Sequence, residues 1–306
     1  MFVVCGEALW DLFAVERAGT LSFDARVGGS PFNTAVGLAR LGQPVALLTG
    51  VSTGLLGRRI EGALQREGVD QRFLRRSDRP STVVVVEVAD DGVPRYTFYG
   101  DGAADRSLTT GDIPDLDDAV WGLHAGSFSL VVEPVGSCLQ ALFERESGRR
   151  LLTLDPNVRL GVEPDVGVWR ARVERFAEHT DVVKASEEDI AALYPGEAPS
   201  KVAERWRRLG ATLVVVTRGP QGAQAFAAAG TVAIEGRAVV VVDTVGAGDA
   251  FHAALVAGLA ERGLTHGDAV AALDLDTIGE LLAFAVGAAA TSCTRRGADM
   301  PRRDEL

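Results

Sequence analysis

Asp243-Thr244-Val245-Gly246-Ala247-Gly248-Asp249-Ala250-Phe251 joins two stretches that ask opposite things of the backbone. Upstream, Val239 to Val242 is an unbroken β-branched run, which predicts a fully buried strand. Downstream, Phe251, Leu255 and Leu259 recur at helical spacing with small Ala253, Ala254 and Ala257 between them, so a tightly packed helix is expected. At the joint, Gly246 and Gly248 remove Cβ where the chain must turn. The first-turn N–H groups are left bare at the positive end of the helix dipole, which makes an anion site. Asp249 lies in that same turn, where the dipole is expected to hold it ionised. By itself such a motif reads as a capped helix after a glycine turn. A carboxylate beside an anion cradle also suits transfer of a phosphoryl group to a hydroxyl.

The 306 residues, 47% of them hydrophobic, can bury a large core. No apolar run in the sequence reaches the roughly 20 residues of a membrane helix. Met1 to Gly6 has neither a basic leader nor an apolar signal core and reads as a first strand, so the cytoplasm is the expected location. Cys5, Cys138 and Cys293 are far apart without metal spacing and read as free thiols. A net charge of −11 argues against a nucleic acid partner and requires any anion to be bound by local means.

Strand-like runs (Phe2 to Cys5, Val45 to Thr49, Val120 to Ala125, Leu151 to Leu154, Asp181 to Lys184, Leu213 to Thr217, Val239 to Val242) alternate with helical stretches. The latter are Pro31 to Leu41, Leu55 to Glu67, Pro134 to Glu146, Val168 to Glu178 and Val202 to Leu209. This α/β alternation implies a mostly parallel sheet covered on both faces, with ligands at the carboxyl ends of the strands. Thr82 to Tyr99 breaks the rhythm as a β-hairpin turning at Asp90-Asp91-Gly92, and Leu12 to Val27 is also β-like.

Several motifs sit at expected strand ends. Asp11 follows the first strand, where a carboxylate can accept two hydrogen bonds from a polyol; Glu7 reads as a surface acid. Ser30-Pro31 has the logic of an N-cap followed by proline at the first helical position, with Asn33 in the first turn beside Gly28-Gly29. Asp155-Pro156-Asn157-Val158-Arg159 reads as a turn or as a site. Ser186 to Asp189 reads as an acidic, capped helix start. Thr217 to Ala223 is a glycine-rich turn that lets a ligand approach the backbone. His252 lies on no catalytic pattern and reads as structural or exposed. The sequence has no GxxxxGK[ST], no GxGxxG after its first strand, no HExxH and no GxSxG, which removes P-loop kinases and leaves dehydrogenase and hydrolase chemistry without its residues.

DTVGAGDAF, together with Val27-Gly28-Gly29-Ser30-Pro31-Phe32-Asn33-Thr34-Ala35-Val36-Gly37-Leu38-Ala39-Arg40-Leu41-Gly42 upstream, resembles the two signatures of the ribokinase-like (PfkB) carbohydrate kinases, and the resemblance covers nearly the whole chain. It implies one ribokinase-like domain over residues 1–306: a three-layer α/β/α core with a mostly parallel central sheet, plus a small β lid from about residues 12–27 and 82–105. It implies Asp249 as the base, with the amides of Gly246, Ala247 and Gly248 as the anion hole. Asp11, Gly28, Gly29, Asn33, Tyr99 and Arg159 then bind the sugar, and Lys184, Ser186, Thr217, Gly219, Gly222, Gly246 and Gly248 bind ATP. Glu187 and Asp189 are the candidates for magnesium, through water, where the family often carries Asn-x-x-Glu. Potassium activation occurs in parts of the family. The helix Leu281 to Ser292 is placed near the adenine, with Val286 where relatives often carry Asn. Exposed lid strands make a homodimer through the lid the expected assembly.

Within the family, CGEALWDLF, GGSPFNTAVGLARLG, the YTFY and GAAD segments and CTRRGAD resemble fructokinases, implying transfer to the 6-hydroxyl of D-fructose. Where 2-keto-3-deoxygluconate kinases place Tyr-Arg, this chain has Tyr99-Gly100-Asp101, and an acid there would repel a substrate carboxylate. The alternatives are such a kinase, a nucleoside kinase, and a catalytically idle sugar or nucleotide sensor.

Overall fold

The structure is a computed structural model that describes residues 1–17, 19–88 and 94–306, so the Asp90-Asp91-Gly92 turn lies outside the described residues. The strands are β1 (Phe2–Cys5), β2 (Leu9–Arg17), β3 (Thr20–Gly28), β4 (Val45–Ser52), β5 (Leu74–Ser77), β6 (Val83–Val88), β7 (Pro94–Tyr99), β8 (Gly122–Gly126), β9 (Leu151–Asp155), β10 (Val182–Ser186), β11 (Leu213–Thr217), β12 (Ala223–Ala227) and β13 (Gly230–Ile234). The helices are α1 (Ser30–Arg40), α2 (Leu55–Arg66), α3 (Val135–Glu146), α4 (Val166–Ala177), α5 (Glu187–Leu193), α6 (Pro199–Leu209), α7 (Ala247–Glu261), α8 (Gly267–Ala271) and α9 (Leu275–Cys293).

Nine strands form the central sheet in the order β13-β12-β11-β10-β9-β8-β1-β4-β5. All neighbours from β11 to β5 are parallel, and the β12 and β13 edge is antiparallel. Strand alternation sorts the core into two layers. Phe2, Val4, Val45, Leu47, Leu213 and Val215 pack on one face with α1, α2, α7 and α9. Val3, Cys5, Ala46, Leu48, Val214 and Val216 pack on the other with α3, α4 and α6, where Trp169 and Trp206 are wholly buried. Burial of one such large apolar side chain is worth roughly 1.5–3 kcal/mol. The result is a ribokinase-like three-layer α/β/α core. The chain runs outward from β1 to β4 and β5 on one side and from β8 to β11 on the other. A crevice therefore opens at the carboxyl ends between β1 and β8.

The lid is a second sheet in the order β3-β2-β6-β7. Its β2–β3 hairpin pairs Leu9 with Gly28, which returns Gly28-Gly29 to the end of β1. The lid strands end at Tyr99, and residues 100–106 pack back under β4, with Gly50 directly against the Ala104 carbonyl.

The Val239 to Val242 run is not a buried strand. The sheet edge is already closed by β13, and the run crosses the surface, Val240, Val241 and Val242 being 84%, 59% and 60% exposed. It is tied down by the Val242 and Asp243 amides, both donating to the Cys293 carbonyl at 2.8 and 3.2 Å. Helix α9 has the length and apolarity of a membrane span, yet it packs against α7, β12 and β13 through Ile278, Leu281, Leu282 and Ala285.

Candidate active site

The start of α7 is shaped by glycine for two separate reasons. Gly246 is the N-cap at φ 79°, and a Cβ there would lie 2.7 Å from the Ala298 Cβ. A Cβ on Gly248 would instead lie 3.0 Å from Lys184 Nζ, so this glycine opens the first turn to a cation. The Ala247 amide donates to the Thr244 carbonyl at 3.2 Å, which leaves the amides of Gly246 and Gly248 without a backbone acceptor. Of the three amides expected to form the anion hole, those of Gly246 and Gly248 are therefore open and that of Ala247 is engaged.

Asp249 is 7% exposed at the end of the crevice. Ser30 donates its hydroxyl to Oδ1 at 2.6 Å, and the Asn33 amide donates to Oδ2 at 2.8 Å. Both donors come from the first turn of α1. Ser30 therefore does not cap its helix: Gly29 is the N-cap, at φ 103° with no side-chain cap bond, because the serine hydroxyl is spent on the buried carboxylate. Asn33 likewise has its amide committed to Asp249. Burial raises the Asp249 pKa, against the opposing effects of Ser30, Asn33, Lys184 and Arg159. The dipole alone would hold Asp249 ionised; desolvation works the other way and raises its pKa, which strengthens it as a base.

Asp11 faces the same crevice from β2. A Cβ on Gly28 would fall 2.2 Å from Asp11 Oδ2, so that glycine exists to admit the carboxylate. Burial lifts Asp11 to about 6, opposed by Arg159 and aided by Asp249, which brings these three charges into one field. Glu7 is not a surface acid. It is 1% exposed, accepts the Ser129 hydroxyl at 2.5 Å, and its carbonyl would be 2.8 Å from a Cβ on Gly29. Burial pushes Glu7 up to about 7. Arg159 is exposed, its guanidinium donating to the Val158 carbonyl at 3.0 Å. A cavity of about 200 Å³ beside Asp11 lies between the lid residues Phe13 and Arg26 and the Val245 and Gly297 loops.

Tyr99 does not join this group. Side chains alternate along β7. Tyr96 and Phe98 share the inward face, with Phe98 edge-on to Phe128 at 5.9 Å, while Tyr99 falls on the other face, 61% exposed. Tyr96 is on the crevice side of the strand though still 44% exposed, its phenol raised by burial and felt by Arg159, Asp11 and Asp243. Asp101 is also outside the crevice: it lines a separate cavity with Arg79 and Arg106. The repulsion of a substrate carboxylate expected from its sequence position therefore has no geometric basis.

On the β9 and β10 side, Lys184 is buried and its Nζ donates to Asp155 Oδ2 at 2.7 Å. Burial opposes the charge on Lys184, but Asp155, Asp189 and Asp249 outweigh it and keep it cationic. Asp155 Oδ1 is buried without a partner. Asp189 is occupied by its own chain. Oδ2 accepts the Ser186 amide and hydroxyl in a capping box at 2.9 and 2.7 Å, and Oδ1 accepts the Val158 amide at 2.7 Å. Glu187 is half-buried in the same turn. Among the described residues no three His, Cys, Asp or Glu side chains converge as a metal cage. That donor set fits a magnesium ion that keeps its waters and arrives on phosphates.

Thr217 ends β11, with Gly219 at φ 52° and Gly222 at φ 88° in the turn beyond it. Gly222 is required by packing, since its Cβ would lie 2.0 Å from the Ile234 carbonyl. Val286 is buried on α9. Behind Asp249, His252 is buried against His124, ring centroids 4.2 Å apart, with the Thr153 hydroxyl within 3.1 Å of one nitrogen of each. Burial and Lys184 hold both imidazoles neutral, His124 at about 3 and His252 well below its usual value.

The chain matches the family described as pfkB family carbohydrate kinase over residues 1–304. It is 38% identical to a fructokinase of Rhizobium leguminosarum bv. trifolii, over 90% of this chain and 84% of that protein. The structure superposes on fructokinase with bound ATP from Xylella fastidiosa with a TM-score of 0.90 at 25% identity, over 99% of this chain and 96% of that one. It also superposes on a double mutant of fructokinase from Vibrio cholerae O395 with fructose, ADP and a potassium ion bound, with a TM-score of 0.81 at 28% identity, over 97% and 93% of the two chains.

Proposed function

The chain belongs to the pfkB family of carbohydrate kinases, and from that premise we propose that it is an ATP-dependent fructokinase acting on the 6-hydroxyl of D-fructose. The observation that carries the reading is Asp249: a buried carboxylate of raised pKa, held by Ser30 and Asn33, one residue past a glycine whose amide is free.

Asp249 takes the proton of the attacking hydroxyl, each oxygen having one lone pair left after its bond from α1. The amides of Gly246 and Gly248 hold the charge that grows on the transferred group, and Lys184, beside Gly248, adds a fixed cation. In-line phosphoryl transfer asks for this positioning and neutralisation more than for covalent chemistry. Asp11 and Gly28 receive the sugar hydroxyls from the lid side, and Arg159 lies within the field of Asp11 and Asp249. Tyr96 replaces Tyr99 as the lid aromatic over the sugar. The exposed Val240 to Val242 run, with Thr217, Gly219 and Gly222, supplies the apolar wall and open backbone suited to a nucleotide base.

Magnesium on the nucleotide phosphates supplies charge neutralisation when bound, with Glu187 the carboxylate free to hold one of its waters and Ser186 and Asp189 shaping the turn. Asp243, whose carboxylate gathers the Val245 and Gly297 amides at 3.1 and 2.8 Å, organises the loop where a potassium ion would act. A cytoplasmic location is in keeping with ATP as the donor. Exposed Leu21, Phe23 and Tyr99 on the lid fit a homodimer formed through that sheet, which sedimentation of the purified protein tests.

ADP release is measured with fructose, ribose, mannose, 2-keto-3-deoxygluconate and adenosine as acceptors. The highest kcat/KM is expected for fructose. Preference for 2-keto-3-deoxygluconate would move the acceptor, and no acceptor-dependent release would leave a sensor.

A further inference from the structure

Arg26 ties the lid to a loop 270 positions away in sequence. In the β2–β3 register Asp11 stands opposite Arg26 and Phe13 opposite Asp24, so the four side chains share one face of the hairpin. Asp24 Oδ2 accepts from Arg26 Nε at 3.2 Å and from Nη2 at 2.7 Å, and Cζ stands 5.4 Å from the centroid of the Phe13 ring. Two bonds and a ring thus orient the guanidinium. Its remaining nitrogen, Nη1, donates to the Arg296 carbonyl at 3.1 Å. The approach is close: a Cβ on Gly297 would lie 2.5 Å from Nη1, so that glycine admits the contact.

From Arg296 the contacts continue to the cradle. The Gly297 amide donates to Asp243 Oδ2 at 2.8 Å, and Oδ1 of the same carboxylate accepts the Val245 amide at 3.1 Å. Val245 leads directly into Gly246, the N-cap of α7, where a Cβ would meet Ala298 at 2.7 Å and Met300 at 2.8 Å. Asp11, Arg26, Val245 and Gly297 all line the cavity of about 200 Å³. One side chain, one loop and one carboxylate therefore join the lid face that carries Asp11 to the turn that carries Gly246 and Gly248.

We propose that Arg26 is a positioning residue that couples the sugar site to the phosphate cradle. A sugar held by Asp11 sets the β2–β3 hairpin, and the hairpin sets Nη1 on the Arg296 carbonyl. Residues 296–300 and Asp243 then hold Val245 and Gly246 in the turn that keeps the cradle amides open. The effect is reciprocal, so sugar and nucleotide tighten each other's binding by the same factor. The contact is a single charge-assisted bond from a side chain 34% exposed, which puts that factor at the low end of common couplings, about fivefold. The proposal rests on the sugar kinase reading and needs an acceptor at Asp11, whichever sugar that is.

The full chain is titrated calorimetrically with a non-hydrolysable magnesium–ATP analogue, with and without saturating fructose, and then with the best acceptor of the ADP-release screen. In the parent the acceptor should tighten the analogue about fivefold, and in Arg26→Met by less than about twofold. Affinity of Arg26→Met for the acceptor alone should stay parental, and Arg26→Lys, which keeps a donor for the carbonyl, should retain part of the coupling. In the ligand-free protein, hydrogen exchange at residues 243–248 should quicken in Arg26→Met, a change that a contact confined to the lid would not produce. No coupling in the parent, parental coupling in Arg26→Met, or unchanged exchange at 243–248 would overturn the proposal. So would weakened acceptor binding by Arg26→Met without nucleotide, which would make Arg26 a direct sugar contact. Failure of every acceptor to bind the parent would instead sink the kinase reading, and the exchange comparison then decides whether Arg26 holds the cradle.

Discussion

The Ser30 hydroxyl reaches Oδ1 of Asp249 at 2.6 Å across 219 positions of sequence, so the first turn of α1 and the first turn of α7 are one unit. Removing that donor takes away a hydrogen bond to the charged form, which raises the Asp249 pKa further. A base must be ionised to act, so activity is lost as pH falls through its pKa. Ser30→Ala should therefore move the acidic limb of the kcat/KM profile to higher pH and lower turnover at pH 7 by roughly tenfold. An unmoved acidic limb would separate Ser30 from the base.

The two cradle glycines should fail in different ways. Gly246→Ala meets both a left-handed φ and the Ala298 and Met300 side chains, and should lose roughly 1–3 kcal/mol of stability, read by urea unfolding. Gly248→Ala meets only the Lys184 ammonium at 3.0 Å and should lower turnover with little change in the unfolding midpoint.

Lys184 and Asp155 form a buried pair at 2.7 Å. Lys184→Met leaves the carboxylate uncompensated and should cost about 3–5 kcal/mol of stability. Adding Asp155→Leu should restore most of that without restoring turnover. If the double variant is fully active, Lys184 has no part in the reaction.

Glu7 is raised from 4.5 to about 7 by burial, so the folded protein holds a proton between those values that the unfolded chain has released. Its contribution to stability is present below pH 4.5 and is lost as pH rises through about 7. Glu7→Gln should flatten that decline, gaining up to ~3 kcal/mol relative to the parent at pH 8 over pH 5. Parallel Tm curves for the two proteins from pH 5 to 8 would remove the effect.

The parallel α/β core was legible because local pattern and tertiary role agree: buried parallel strands are short apolar runs, and the helices between them are amphipathic. The pattern misled at Val239 to Val242, where β-branched residues lie on the surface. A composition cannot tell a wall that waits for an apolar ligand from a strand that packs on a sheet. Glu7, Ser30 and Tyr96 were hidden for a different reason. Each depends on a partner more than 60 positions away or on which face of a lid strand points inward. One signal was available for the lid: the period of two along Tyr96, Phe98 and Tyr99 could have chosen the inward pair once Phe98 was taken as core. The Asp155–Lys184 pair left only a lone buried-strand lysine as its sequence trace.

Asp249→Asn tests the central claim most directly, because it keeps shape and removes the base. In the purified variant, fructose-dependent ADP release should fall by roughly 100-fold or more while calorimetric affinity for fructose stays close to that of the parent. Turnover near the parental value would contradict the assignment of Asp249 as the base.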